Sequence, residues 1–396
     1  MVRSKEKYQI AIIWVTIFLD LMGVTLIIPF INEFVDQLGG DERHAGFLLA
    51  SYALMQFIFA PILGKISDKY GRRPILLFGM VGAFFAFLIF GFATQLWLLF
   101  ASRMLAGISN ANISVAQAYI ADISTRKERA SKMGIIQAAF SLGFIVGFPI
   151  GGILAEQFSV ATPSLLAAGL SITNGFFAYF FLPESLSLEK RITEKLSFNP
   201  ISISKHSFKN IINYFKIPKF KPLLIIFLLY SFAFSILHVT FVEFDRDYLK
   251  MNPQQIGFIF MYIGIVGFVI QMIAIKPMVK YFGEEKVMVM GFLCMATGLT
   301  ITPMVDHMNW LFLTSLFVAG GNSLLAPTAT AIISQHAKEN EQGAILGVTQ
   351  GLGSLGRIFG PPYGGMTYHS IHMMFPFISS AIILIGAVIY YFSSRK

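Results

Sequence analysis

The sequence predicts an all-α membrane protein, with twelve transmembrane helices built as two parallel six-helix repeats. Three observations lead there: an apolar composition, a regular series of apolar runs, and an internal repeat. Of 396 residues, 55% are hydrophobic and only 13% are charged, about half the charged share of a soluble domain. That much apolar surface needs lipid to cover it.

Crossing the hydrocarbon takes roughly 20 apolar residues. Runs of about this length lie near 9–32, 44–64, 74–94, 97–120, 131–155, 162–182, 221–243, 254–275, 286–305, 309–334, 343–366 and 372–392. The first run is too long for the core of a signal peptide and has no small-residue cleavage site after it, so it reads as a retained span. The repeat emerges when 97–152 is laid on 310–365 without gaps. Gly107/Gly320, Gln137/Gln350, Gly143/Gly356, Gly147/Gly360, Pro149/Pro362, Gly151/Gly364 and Gly152/Gly365 coincide. Shared apolar composition would not align glycines, glutamines and prolines. Spans four and five therefore recur as ten and eleven. Parallel repeats of this kind imply alternating access to a site at midplane.

Charge sets the orientation. Of 30 Lys and Arg, the loops on one side hold only Arg43, Arg246 and Lys250, while Arg103 and Arg357 lie inside spans. The rest fall on the other side, which the positive-inside rule makes cytoplasmic. Both termini then face the cytoplasm, and the expected location is the inner (plasma) membrane. The net charge of +9 is spread over loops, with no basic patch or stripe, so nucleic acid is not an expected partner. The expected partners are the lipid bilayer and a small-molecule substrate, with the chain a monomer. Cys294 is the only cysteine, so no disulfide forms within the chain. No nucleotide loop, metal-ligand cluster or nucleophile–base pair stands out, which argues against an enzyme.

The one long connection divides the chain into an N-terminal half (1–182), a Lys-rich linker (183–220) and a C-terminal half (221–396). In the linker, Phe208, Ile211, Ile212 and Phe215 recur at helical spacing, with Lys209, Asn213 and Lys216 between them. That pattern is an amphipathic helix. It either lies on the inner leaflet or serves as a mobile connector.

Asp20 sits near the centre of the first span, and a carboxylate at bilayer depth is a functional candidate by default. Either it exchanges protons or it forms a permanent ion pair. Helix rise places Arg103 about 9 Å in from the outer surface, within reach of Asp20 as its partner. Arg357 is a second deep cation, and Phe144 occupies its repeat-related position. Substrate, coupling and architectural roles for Arg357 all stand at this point. Asn110, Asn112, Gln117, Gln137, Gln271, Asn322 and Gln350 are candidates to line the cavity, with Tyr52, Gln56 and Tyr230 behind them. The same groups could equally join helices by hydrogen bonds.

The turn Gly64-Lys65-Ile66-Ser67-Asp68-Lys69-Tyr70-Gly71-Arg72-Arg73-Pro74 carries the strongest resemblance. Gly64, Asp68, Gly71, Arg72 and Arg73 fit the pattern Gly-x-x-x-Asp-x-x-Gly-Arg-Arg, which resembles the signature loop of the major facilitator superfamily. The resemblance implies a loop that latches the cytoplasmic side against the start of span eleven, with Asp122 of Ala118-Tyr119-Ile120-Ala121-Asp122 as part of it. Arg103-Met104-Leu105-Ala106-Gly107 resembles the span-four motif whose arginine is associated with proton transfer. Asp20-x-x-Gly23-x-x-x-x-x-Pro29 resembles a span-one motif of drug/proton antiporters. Gly143, Gly147, Pro149, Gly151 and Gly152 resemble the antiporter motif Gly-x-x-x-Gly-Pro-x-x-Gly-Gly. Here Phe148 takes the motif's proline position and the proline follows it.

The implied function is proton-driven export of amphipathic small molecules, with a proton gradient and no cofactor. The family resemblance extends to tetracycline-efflux-like transporters. Those exporters carry an acid in span three, where this chain has Ala86, so tetracycline itself is not expected. The alternative is an exporter or flippase of an endogenous metabolite, siderophore or lysolipid, with Arg357 favouring an anionic one.

Overall fold

The computed structural model describes residues 2–124, 129–187, 189, 191, 210–337 and 342–394, the side chains of 2–9, 129–138, 140, 343 and 344 excepted. Among the described residues every regular element is helical. The N-terminal half holds α1 (Val2–Thr25), α2 (Ile31–Gln37), α3 (Glu42–Tyr70), α4 (Arg72–Gly91), α5 (Leu96–Asn110), α6 (Asn112–Asp122), α7 (Arg129–Gln157) and α8 (Thr162–Phe181). The C-terminal half holds α9 (Lys221–Asp247), α10 (Pro253–Val269), α11 (Ile275–Phe282), α12 (Glu284–Ile301), α13 (Met308–Gln335), α14 (Gln342–Ser370) and α15 (Phe375–Ser393).

Among the described residues, nine stretches are long and apolar enough to cross a membrane. The remaining three of the expected twelve fall on α5 with α6, on α7 and on α14. The first carries Arg103, Asn110 and Asn112, and α14 carries Gln350 and Arg357, which lower their mean hydropathy. In α7, Ser141–Gln157 is apolar but short.

Several runs are broken where the chain predicts trouble. Pro29 sits in a 3₁₀ turn, Ile28–Phe30, that separates α1 from α2, because proline cannot donate to the helical ladder. A π turn, Ile270–Ala274, joins α10 to α11; such turns mark functional positions in helices. Asp41 caps α3, and its hydrogen bond from Arg43 holds its carboxyl well below the usual carboxylate range.

The repeat is visible in the packing. An added Cβ on Gly151 of α7 would lie 1.9 Å from the Leu26 carbonyl oxygen beside α1, and one on Gly147 would lie 2.0 Å from Thr25 Oγ1. In the second half, the same face of α14 meets α9: Gly356 approaches Ser231, and Gly360 approaches Ser235. Only glycine permits backbones this close.

The two halves touch at one end of the bundle. We call the end bearing Lys69, Arg72 and Arg73 the basic face. At the opposite face, an added Cβ on Gly46 would lie 2.5 Å from the Pro361 carbonyl oxygen, and one on Gly365 would lie 2.2 Å from that of Glu42. Gly152 makes the equivalent approach to Pro253, at 2.2 Å. Near the basic face, a Cβ on Gly64 or on Gly347 would meet no described atom within 4 Å. The halves are closed at the opposite face and apart at these two glycines.

Part of the linker is seen. Residues 210–215 are helical, while Phe208 and Lys209 lie outside the described residues. Ile211 is 5% exposed, and its Cδ1 would meet a Cβ on Gly351 at 2.9 Å, with Phe57 of α3 beside it. This apolar edge turns into the protein, against the C-terminal core, while Ile212 stays exposed.

Candidate functional site

Between the halves lies a cavity of about 400 Å³, within the usual range for small-molecule sites. Its wall is mostly apolar, aliphatic and aromatic together. Phe148 of α7 stacks on Phe260 of α10 with centroids 4.6 Å apart, a contact across the halves, and Phe144 stacks on Phe148 at 5.3 Å. Phe234, Phe268 and Ile263 extend the apolar wall. The polar lining comprises Tyr52, Arg103, Ser141, His238, Gln271, Asn322, Ser323 and Arg357, with Thr25 at the edge. Gln271 belongs to the π turn, where the altered register helps aim it inward.

Five expected residues therefore face the cavity: Tyr52, Arg103, Gln271, Asn322 and Arg357. Tyr230 reaches it indirectly, donating its hydroxyl to the Asn322 side-chain oxygen. Three others are placed elsewhere. Asn112 is buried and donates to the Leu76 carbonyl at 3.0 Å, filling the notch left by Gly79. Asn110 is buried in α5, and its carbonyl accepts from Gln56 Nε2 at 3.4 Å. Gln350 is exposed and lines no part of the cavity. Gln137 has its side chain outside the described residues.

Asp20 does not pair with Arg103. Its carboxylate accepts one long hydrogen bond, 3.5 Å from Asn174 Nδ2 of α8, and it is not among the residues that line the cavity. Arg103 is 3% exposed and lies over the Phe90 ring at 4.5 Å and the Phe87 ring at 5.8 Å. Its Nε and Nη2 have no hydrogen-bond partner among the described residues.

The signature turn is a closed network. Arg72 pairs with Asp68 at 2.6 Å and with Asp122 at 3.0 Å, and donates to Ser67 Oγ. Glu184 accepts from the backbone amides of Arg72 and Arg73 at 2.8 and 3.2 Å. It thereby satisfies amides at the start of α4 that have no helical partner. Gly71 has φ +104, a conformation that favours glycine, and a Cβ there would strike Glu184. Asp68 is engaged with Arg72, and the segment just before α14 lies outside the described residues.

Gly143, Gly147 and Gly151 of the antiporter-like motif form the α7 face that lies on α1, while Gly152 turns to Pro253 of α10. Gly143 approaches Leu21 and Met22, and its carbonyl accepts from Thr25 Oγ1 at 3.0 Å. Pro149 sits inside α7 and packs against Gly257 of α10.

Two features escaped the sequence reading. His238, an imidazole inside an apolar run, faces the cavity; its isolation in that run was the available signal. The other is a pair of buried acids, Glu243 and Asp245, near the C-terminal end of α9. The seventh span runs past 243 to Asp247, burying Glu243 and Asp245 completely. The apolar run ends at 243, where charges begin. The helix continues because Glu243 is satisfied by Asn32 and Arg246.

A helical bundle of two repeat-related halves, with a cavity between them shut toward one face, is the architecture of a membrane transporter. The chain belongs to the Major Facilitator Superfamily, whose family pattern matches residues 13–276 and 223–396. It is 30% identical over 360 residues to a class C tetracycline resistance protein of Escherichia coli, covering 90% of this chain and 89% of that one. It is 32% identical over 394 residues to multidrug resistance protein 2 of Bacillus subtilis (strain 168), covering 96% and 94%. Among solved structures, the human organic anion transporter MFSD10 aligns with TM-score 0.75 and 21% identity, covering 98% of this chain and 99% of that one. A bacterial homologue of the human lysosomal transporter Spinster, inward-facing and unoccupied, aligns with TM-score 0.80 and 12% identity, covering 98% and 97%. These last two establish the fold.

Proposed function

We propose that this protein is a proton-driven exporter of amphipathic small molecules, working by alternating access as a twelve-span monomer. The basic face is cytoplasmic by the positive-inside rule, so the state described here is shut to the outside. The observation that carries the reading is the aromatic cavity at the junction of two pseudo-symmetric halves. Rings and a few polar groups suit amphipathic guests. Its relatives named for multidrug and tetracycline resistance support export as the direction. Asp20 is the residue we assign to proton exchange: a carboxylate at depth, whose hydrogen-bond partner among the described residues is an amide, can hold or lose a proton without breaking an ion pair. Its separation from Arg103 supports exchange over a static pair. The gradient supplies the energy, and no cofactor takes part.

The test uses proteoliposomes with a panel of fluorescent amphipathic compounds. Accumulation should follow an imposed pH gradient and collapse with a protonophore. Movement indifferent to the gradient would reject proton coupling.

A further inference from the structure

We propose that the cavity's preferred guest is an amphipathic organic anion, one carboxylate, sulfonate or phosphate on an aromatic or aliphatic body. This deepens the export reading above and rests on it for the direction of movement.

The charge of the lining is one-sided. Arg103 and Arg357 both face the cavity, and among the described residues no Asp or Glu lines it. Neither guanidinium has a carboxylate within ion-pair distance among the described residues. Arg103 is held only over rings, with two nitrogens unpartnered. Arg357 donates to Ser354 Oγ at 3.1 Å, an oxygen one helical turn away on the same helix. Asp20, the acid that could have neutralised one of them, is engaged with Asn174. A guanidinium at bilayer depth without an anion is costly. A chain that keeps two of them facing one cavity leaves the counter-charge to the guest.

Repeat symmetry does not require the second cation. Phe144 and Arg357 are repeat-related, and both line the cavity. The N-terminal wall presents a ring and the C-terminal wall a guanidinium. Tyr52, Arg103 and Arg357 line the same cavity, and the two guanidiniums are where the anionic end of the guest would be held. Its body then reaches the Phe148–Phe260 stack. The planar fork of arginine binds carboxylate or phosphate by two parallel hydrogen bonds, a selectivity that lysine cannot reproduce.

The experiment compares two probes with one body and opposite charge, 2-naphthalenesulfonate and 2-naphthylmethylammonium. Binding to the full chain in nanodiscs is measured by titration calorimetry, and transport in proteoliposomes with and without a pH gradient. The unmodified protein should bind the sulfonate at least about tenfold more tightly than the ammonium. Arg357→Gln should remove most of that preference, and Arg357→Lys should restore part of it. Equal binding of the two probes, or preference for the ammonium, overturns the proposal without any variant being needed. So does a folded Arg357→Gln protein, judged by its melting temperature, that keeps the full ratio. Proton-driven transport of the ammonium with no preference for the sulfonate would refute the anion and leave export standing. Tight sulfonate binding with no gradient-driven movement would do the reverse.

Discussion

Asn32 of α2 donates its side-chain amide to the Glu243 carboxylate of α9, 211 positions further along the chain, and the bond crosses between the halves. Arg246 reinforces it by pairing with Glu243 and, at 2.8 Å, with Asp36. His369 Nδ1 lies 2.9 Å from Glu42 nearby. Opening the opposite face requires these partners to separate. Hydrogen bonds to charged groups contribute about 1.5–3 kcal/mol. Arg246→Ala should therefore shift the population roughly 10–100-fold toward the state open at this face. Distances between spin labels on α2 and α9 would report it, and an unchanged distribution would show that the glycine contacts alone hold the face shut.

Replacing Asp20 tests proton coupling. Its neighbour is the Asn174 amide rather than a cation, so Asp20→Asn leaves no buried charge unpaired. The variant should fold, bind substrate, and lose pH-driven transport. Retained gradient-driven accumulation would remove Asp20 from the coupling step.

Arg72 joins two carboxylates from separate elements, Asp68 of α3 and Asp122 of α6. Arg72→Ala leaves both without a cation. Breaking a buried pair costs about 3–5 kcal/mol, and the lower end applies because Asp68 is 36% exposed. A melting temperature within a degree or two of the parent would show that Glu184 and Ser185 already hold this turn. The latch role of Asp68 needs the other conformation. Asp68→Asn should favour the state in which Gly64 and Gly347 stay apart, read by labels on the cytoplasmic loops.

Glycine spacing gives a matched pair of tests. A Cβ on Gly151 would fall 1.9 Å from the Leu26 carbonyl oxygen, whereas one on Gly386 meets no described atom within 4 Å. Overpacking costs about 1–3 kcal/mol, so Gly151→Ala should lower the melting temperature and impair transport. Gly386→Ala should be near neutral, or slightly stabilising through helix propensity. Equal effects at the two sites would mean that α1 and α7 yield easily.

Helices were legible in this chain because a bilayer imposes one rule on every span: about 20 apolar residues in a row. Loops carrying Lys and Arg marked the ends, and the signature turn at 64–74 showed its pattern openly. The repeat was legible because glycine is irreplaceable where backbones touch. Gly143, Gly147 and Gly151 recur as Gly356, Gly360 and Gly364, and the structure lays both sets on equivalent partners.

The sequence by itself determined the bundle, its two halves and the three deep charges worth attention. Tertiary structure alone decided what those charges meet. Asp20 and Arg103 lie on different helices, and small rotations of α1 and α5 decide between pairing with each other and facing Asn174 and Phe90. Nor could periodicity pick out the cavity wall. In a water-soluble protein, buried and exposed faces differ in polarity. In a membrane, the lipid face, the packed face and an aromatic cavity are all apolar, so Phe148 at the cavity and Phe180 on the exposed surface read alike. Glu243 was hidden for the converse reason. A charge reads as the end of a span until its partner is seen, and the partners of Glu243 came partly from α2, two hundred residues away.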